Sequence, residues 1–296
     1  MFQKKIIAGV ETGEVKEPMV IQKKLQEGTF GEVYQASING QPVALKVFKV
    51  FGDNRFSKER SMCELASQTP SCVKLLATTP IKDRGWGLVF ELCKSDLYEF
   101  MGEPDFSPIY RESLAKSVAS AMLDALLFLL SKGIVHSDVK SENIFIREKG
   151  EFVEFVLGDM GSAFYEKDAG RIKGRIQSDA NRAPEVVEGK YPYTKAIDVF
   201  SLGLLIYECF TGRMPVEQNA KGDYPFVAMA TSLQQNDQVL SALPKNLRVW
   251  VRSMLDISPS RRISAERALA CFGKAFSLPH ASLEVLAAHN GLKTTV

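Results

Sequence analysis

At 296 residues, 45% hydrophobic and 24% charged, the chain has the composition of a globular protein with a sizeable core. A formal net charge of +2 gives no field that would make nucleic acid or a membrane surface the expected partner. Five scattered cysteines, odd in number and without a CxxC pair, argue against a disulfide framework or zinc site and fit a reducing, intracellular compartment.

The first residues lack the long apolar stretch of a signal peptide, because Glu11, Glu14 and Lys16 follow closely. Short β-leaning runs come next, at Met19–Leu25, Gly31–Ala36 and Pro42–Phe48, the last two separated by an Asn39-Gly40 turn in which both residues tolerate positive φ. A helix is expected from Phe56 to Ala66, then strands at Val73–Thr78 and Gly87–Leu92. Beyond residue 96 the spacing of Leu114, Val118, Ala121, Met122, Ala125, Leu126 and Leu129 is helical. The apolar window Val118–Leu130, broken by Asp124, reads as a buried helix too short to span a bilayer. Further helices are expected at Ala196–Phe210, Leu247–Leu255 and Ala265–Ala275. A strand-rich first third and a helix-rich remainder give an α+β class. No repeat, low-complexity tract or linker is visible, so no appended regulatory domain is expected.

Several polar groups stand out against this background. Gly28 and Gly31 lie in a turn between two strands, where glycine lets backbone N–H groups approach a phosphate, although a plain hairpin would use them too. Lys46 sits inside an apolar strand run; it faces either solvent or phosphates, and in the second case a helix-borne carboxylate, Glu59 or alternatively Glu64, would hold it. His136-Ser137-Asp138-Val139-Lys140-Ser141-Glu142-Asn143 is the strongest signal. Asp138 would orient and deprotonate an attacking hydroxyl, Lys140 would neutralise a moving phosphoryl group and Asn143 would hold Mg²⁺; His136 has no expected chemical role. Asp159, before Met160-Gly161, offers a hard carboxylate to the same metal. Glu185 paired with Arg262, and Asp198 on a central helix, are expected supports.

This ordered set resembles the eukaryotic-type protein kinases, and the resemblance runs from about Val20 to Phe276. It implies a bilobal fold: a kinase domain at 20–277, with a small β-rich lobe to about 93 and a larger helical lobe from 94. An N-terminal extension (1–19) and a C-terminal tail (278–296) would flank it, packed on the lobes or unstructured. The implied cofactors are ATP and Mg²⁺, and the implied partner is a protein substrate phosphorylated on Ser or Thr, with a monomer in the cytoplasm or nucleus. Carried over by position, Gln26, Gly28, Gly31, Val33, Ala44 and Lys46 form the nucleotide roof. Phe90 is the gatekeeper, Glu91–Cys93 the hinge and Phe145 the floor beneath the base.

Lys140 matches the Ser/Thr-specific pattern, and the stretch Ile176–Val186 resembles the cyclin-dependent, MAP, dual-specificity and SR-protein kinase group. Gln26 replaces a loop glycine, Met160 a Phe, and Ser137 the arginine that usually receives an activation-loop phosphate. With Arg175 in place of a tyrosine often phosphorylated in that group, the loop is expected to be active without phosphorylation. Asp179 stands where proline-directed relatives carry Arg. The alternatives are a pseudokinase scaffold, against which Lys46, Asp138, Asn143 and Asp159 are all present, and a small-molecule phosphotransferase, against which Lys140 and Ala183-Pro184-Glu185 argue.

Overall fold

The computed structural model describes residues 13–14, 19–28, 31–48, 54–81, 85–103, 106–150, 152–172, 176–190, 192–215, 237–276 and 293–294. The chain divides into two compact units: Met1–Lys94 with Gly158–Gly161, and Ser95–Leu157 with Ser162–Val296. The first is built on a sheet and the second is mostly helical, an α+β architecture.

The first unit carries strands β1 (Gly13–Glu14), β2 (Met19–Glu27), β3 (Gly31–Ile38), β4 (Gln41–Phe48), β5 (Leu75–Ile81) and β6 (Gly85–Glu91), with helix α1 (Arg55–Ala66) between β4 and β5. Their order in the sheet is β1-β5-β6-β4-β3-β2, antiparallel except for β1, which pairs in parallel with β5. Asn39 and Gly40 turn β3 into β4 at φ 51° and 78°, the left-handed pair that a tight hairpin needs. Because side chains alternate along a strand, Val43, Leu45 and Val47 enter the core with Ala36, Ile38, Ala77 and Val89. Ala44 and Lys46 therefore share the opposite face. Helix α1 buries Glu59, Met62, Cys63 and Ala66, a single stripe at i, i+3, i+4 and i+7. At its start Phe56 stacks on Trp86 (centroids 6.1 Å apart), which is 40% exposed.

The second unit opens with β7 (Ser95–Asp96), α2 (Leu97–Gly102) and α3 (Arg111–Ser131). Asp96 caps α2 by accepting from the Glu99 N–H at 2.8 Å. Helix α3 is 21 residues long, so the apolar window read from sequence understates it. Pro108–Ser131 is the one stretch among the described residues long and apolar enough to cross a membrane, and 56% of its most apolar window is buried inside the fold. Short strands β8 (Ile134–Val135), β9 (Ile144–Lys149), β10 (Phe152–Leu157) and β11 (Phe164–Tyr165) follow, then α4 (Pro184–Val187) and α5 (Ala196–Thr211).

Every residue of α5 from Ile197 to Cys209 is buried, which marks it as the helix around which this unit packs. Gly203 lets α5 approach Met254 and Leu255 closely, since a Cβ there would sit 2.9 Å from both. Helices α6 (Asp237–Leu240), α7 (Lys245–Met254) and α8 (Ala265–Ala275) complete the unit, and β12 (Lys293–Thr294) adds in parallel to β10. Trp250, 4% exposed, donates from Nε1 to the Ala268 carbonyl at 3.0 Å and packs against Phe272 and Phe276. None of the five cysteines is in a disulfide. Of the two termini, only the two-residue strands β1 and β12 lie within the described residues.

Candidate active site

In the sheet-rich unit, strand β4 delivers Lys46 to the face away from the core. Its Nζ lies 2.6 Å from Glu59 Oε1 and 2.8 Å from Asp159 Oδ1. The sequence left Glu59 and Glu64 open as its partner. The helical stripe resolves them: Glu59 points inward at 4% side-chain exposure, whereas Glu64 pairs along the helix with Arg60 at 2.8 Å. Burial opposes the charge on Lys46, but the Asp159 and Glu59 carboxylates outweigh it and hold the ammonium's pKa above that of a free lysine. Burial pushes the Glu59 carboxyl up while Lys46 pulls it down. The Asp159 carboxylate adds to the upward push, so on balance the Glu59 carboxyl stands above its ordinary value.

Asp159 adopts φ 54°, a left-handed conformation strained for an Asp, and its carboxylate also accepts from the Gly161 N–H at 3.3 Å. A Cβ at Gly161 would fall 3.2 Å from Glu59 and 3.5 Å from Lys46, so this glycine keeps the cluster tight. Met160 beside it is buried, filling an apolar slot as a thioether can.

The other residues expected to form the nucleotide roof lie on the same sheet. Val33 pairs with Lys46, Ala44 with Phe90, and Gln26 with Val33 across a bulged edge. Gly28 donates to the Gly31 carbonyl at 2.9 Å, and Thr29 and Phe30 lie outside the described residues. Gly31 has a structural reason of its own: a Cβ would come within 2.6 Å of the Val47 carbonyl oxygen. Glu91 is tied twice to Lys74, its N–H to the carbonyl and its Oε1 to the N–H, which fixes the strand end leading to Cys93, a half-buried residue.

In the helical unit the loop after β8 is bent by Ser137 at φ 62° and pinned from below. Asp198, near the start of α5, accepts from the His136 N–H at 2.7 Å and the Ser137 N–H at 2.8 Å. Burial pushes this carboxyl up; the two N–H groups and His136 counter it. Asp138 is thereby presented at 14% exposure with both oxygens engaged. Its Oδ2 accepts from Asn143 Nδ2 at 3.0 Å and lies 3.3 Å from Lys140 Nζ, and its Oδ1 accepts from the Ser178 N–H at 2.9 Å. Lys140 Nζ also donates to Ser178 Oγ at 2.6 Å. Phe145, half-buried on β9, sits opposite Val156.

Ser178 is the member of this cluster that sequence reasoning missed. Only its place four residues before the Arg182-Ala183-Pro184-Glu185 run could have hinted at it. Gln177 holds it in place from φ 64°, donating to Ser201 Oγ at 2.8 Å and accepting from the Ala183 N–H at 2.9 Å. Glu185 and Arg262 form a bidentate pair at 2.7 and 2.9 Å, with the Arg262 side chain wholly buried.

The donor chemistry suits magnesium and a polyphosphate. Asn143 turns its amide nitrogen on both the carbonyl and the carboxylate of Asp138, which leaves its carbonyl oxygen as a ligand atom. Asp159, 44% exposed, offers carboxylate oxygen, and both are hard donors of the kind Mg²⁺ takes.

Comparison with known proteins shows the family. The family model described as protein kinase domain matches residues 19–271. Protein kinase gsk31 of Schizosaccharomyces pombe is 32% identical over 229 residues, covering 72% of this chain and 57% of that protein. Serine/threonine-protein kinase chk-2 of Caenorhabditis elegans is 32% identical over 159 residues, covering 52% of this chain and 32% of its own length. Probable serine/threonine-protein kinase dyrk2 of Dictyostelium discoideum is 37% identical over 125 residues, 42% of this chain and 13% of that protein. The chain thus spans less than two thirds of each of these relatives. With a match over 19–271 of its 296 residues, the chain belongs to the protein kinase domain family.

Proposed function

We propose that the protein is an ATP- and Mg²⁺-dependent kinase that transfers the γ-phosphate to Ser or Thr of protein substrates. The observation that carries the reading is the Asp138 carboxylate, aimed by hydrogen bonds at both oxygens with the Lys140 ammonium 3.3 Å away. Phosphoryl transfer asks a protein mainly for placement and charge neutralisation, and this cluster supplies both.

Asp138 receives the hydrogen bond of the incoming hydroxyl and takes its proton as the oxygen attacks. Its orientation is set by Asn143 and Ser178, so little reorganisation is needed at that moment. Lys140 stabilises the negative charge that develops on the phosphoryl oxygens. Lys46 binds the nucleotide phosphates, its ammonium steered by Glu59. Asn143 and Asp159 would hold magnesium, which when bound would supply charge neutralisation for the phosphates. The presence of Lys46, Asp138, Asn143 and Asp159 together supports turnover over a scaffold role. Two relatives, named serine/threonine-protein kinase chk-2 and probable serine/threonine-protein kinase dyrk2, support the residue class.

Purified protein with radiolabelled ATP, Mg²⁺ and a generic basic protein tests this. Transfer is expected, with a loss of about a hundredfold or more in Asp138→Asn and Asp159→Ala, on the scale of losing a key electrostatic group. Transfer that survives both substitutions, or none in the unaltered chain, refutes the reading.

A further inference from the structure

Beside Asp138 the chain runs Ser178-Asp179, and that next residue carries a charge to which the chemistry above gives no task. The Ser178 N–H donates to Asp138 Oδ1 at 2.9 Å. Residue 179 therefore follows one Cα step, about 3.8 Å, from a residue in contact with the carboxylate that receives the acceptor hydroxyl. In an extended peptide the neighbours of the acceptor residue lie about 3.3 Å to either side of it, so one of them falls within reach of position 179.

Asp179 opens a one-turn 3₁₀ segment, Asp179–Asn181, and its side chain is 69% exposed. Arg182 pairs with its carboxylate, which stays largely open to solvent. Two cations among the described residues beside it, Arg182 and Lys140, are already committed. Arg182, 8% exposed at its side chain, also donates to the Ile176 carbonyl at 2.9 Å and to the Gln177 carbonyl at 2.9 Å. Lys140 is held by Ser178 Oγ at 2.6 Å and by Asp138. The exposed Asp179 carboxylate thus stands one residue from the group that contacts Asp138.

We propose that Asp179 selects a basic side chain directly adjacent to the phosphorylated residue of the substrate. The inference rests on the kinase reading and deepens it by naming a specificity determinant. An Arg or Lys at that neighbour gains an exposed ion pair, and an acidic neighbour meets a like charge.

The test uses the full chain and matched Ser peptides that carry Arg, Ala or Glu at one flank of the acceptor at a time. For one flank, kcat/KM for Arg over Glu is expected to be about fivefold or more, the scale of exposed charge pairs at low salt. Asp179→Asn, which keeps an oxygen for Arg182, is expected to flatten this preference. Asp179→Lys is expected to invert it, an outcome that general damage to the loop does not imitate. Fluorescence anisotropy of the same peptides reads the preference by affinity alone, so absent turnover would count against the kinase reading without obscuring the specificity result. Equal treatment of Arg and Glu peptides at both flanks, or a preference unchanged in Asp179→Asn, overturns the proposal.

Discussion

Glu208 lies in the last turn of α5, 9% exposed, with Ser141 Oγ as its hydrogen-bond donor at 3.3 Å and, among the described residues, no cation in an ion pair with it. Burial is the main reason that its carboxyl is pushed up to about 7, and the nearby Glu142 carboxylate adds to the shift while the Ser141 hydroxyl opposes it. The folded chain therefore holds a proton that the unfolded chain, at about 4.5, has already released. Stability from this group is complete below about pH 4.5 and declines as pH rises toward 7, by up to about 3 kcal/mol. Glu208→Gln keeps an acceptor for Ser141 and has no proton to lose. Thermal melts of the two proteins should diverge as pH increases from 5 to 8, with the Gln variant the more stable at pH 8. Parallel curves would show that Glu208 ionises freely in the fold.

At the scale of elements, Arg262 ties α4 and the start of α5 to the segment just before it in sequence. It meets Glu185 on α4, donates to the Ala196 carbonyl at 2.7 Å and to the Asp256 carbonyl at 2.9 Å, and lies 5.0 Å from the Phe200 ring centroid. Removing one partner strands a buried charge, so Arg262→Ala should destabilise the protein by about 3–5 kcal/mol in urea titration. Adding Glu185→Gln should restore part of the loss, because the orphaned carboxylate is then gone. A cost under about 1 kcal/mol would mean that the pair is relaxed or wet in solution.

The same scale shows what the sequence could and could not reveal. The Glu185–Arg262 pair and the Asp198 anchor were readable because fixed motifs carried them. Strands β2, β3, β4 and β6 and helices α1, α5, α7 and α8 were readable within about two residues from β-leaning runs bounded by turn residues and from helical spacing. The β9–β10 hairpin was not foreseen, although Ile144 and Ile146 alternate, Val153 and Phe155 alternate, and Gly150 turns at φ 65°. Its flanks are charged and its runs short, so the period is weak. Strands β1 and β12 are two residues each and carry no pattern at all; their pairing depends wholly on an available sheet edge. Ser178 escaped for a related reason. It acts through its backbone N–H as much as its hydroxyl, and a backbone donor leaves no mark in sequence.

For the whole molecule, the question is what keeps the segment before α4 in place. Ser137 donates from Oγ to the Ser162 carbonyl at 2.8 Å, so it is spent on the fold. Ile176 to Ala183 is fastened by Ser178, Gln177 and Arg182 through hydrogen bonds that involve no phosphate. Phosphatase treatment of the purified protein is accordingly expected to leave its activity within about twofold, whereas a drop of tenfold or more would reveal a phosphate-dependent loop.

The chain's two tryptophans fall one to each compact unit, Trp86 in the first and Trp250 in the second. Nature has thus installed a separate optical reporter in each half. Trp86, partly in water beside Phe56, should emit to the red of Trp250, which sits dry among phenylalanines. Replacing either by Phe leaves a single emitter, and the melting of one half can then be watched with the other silent.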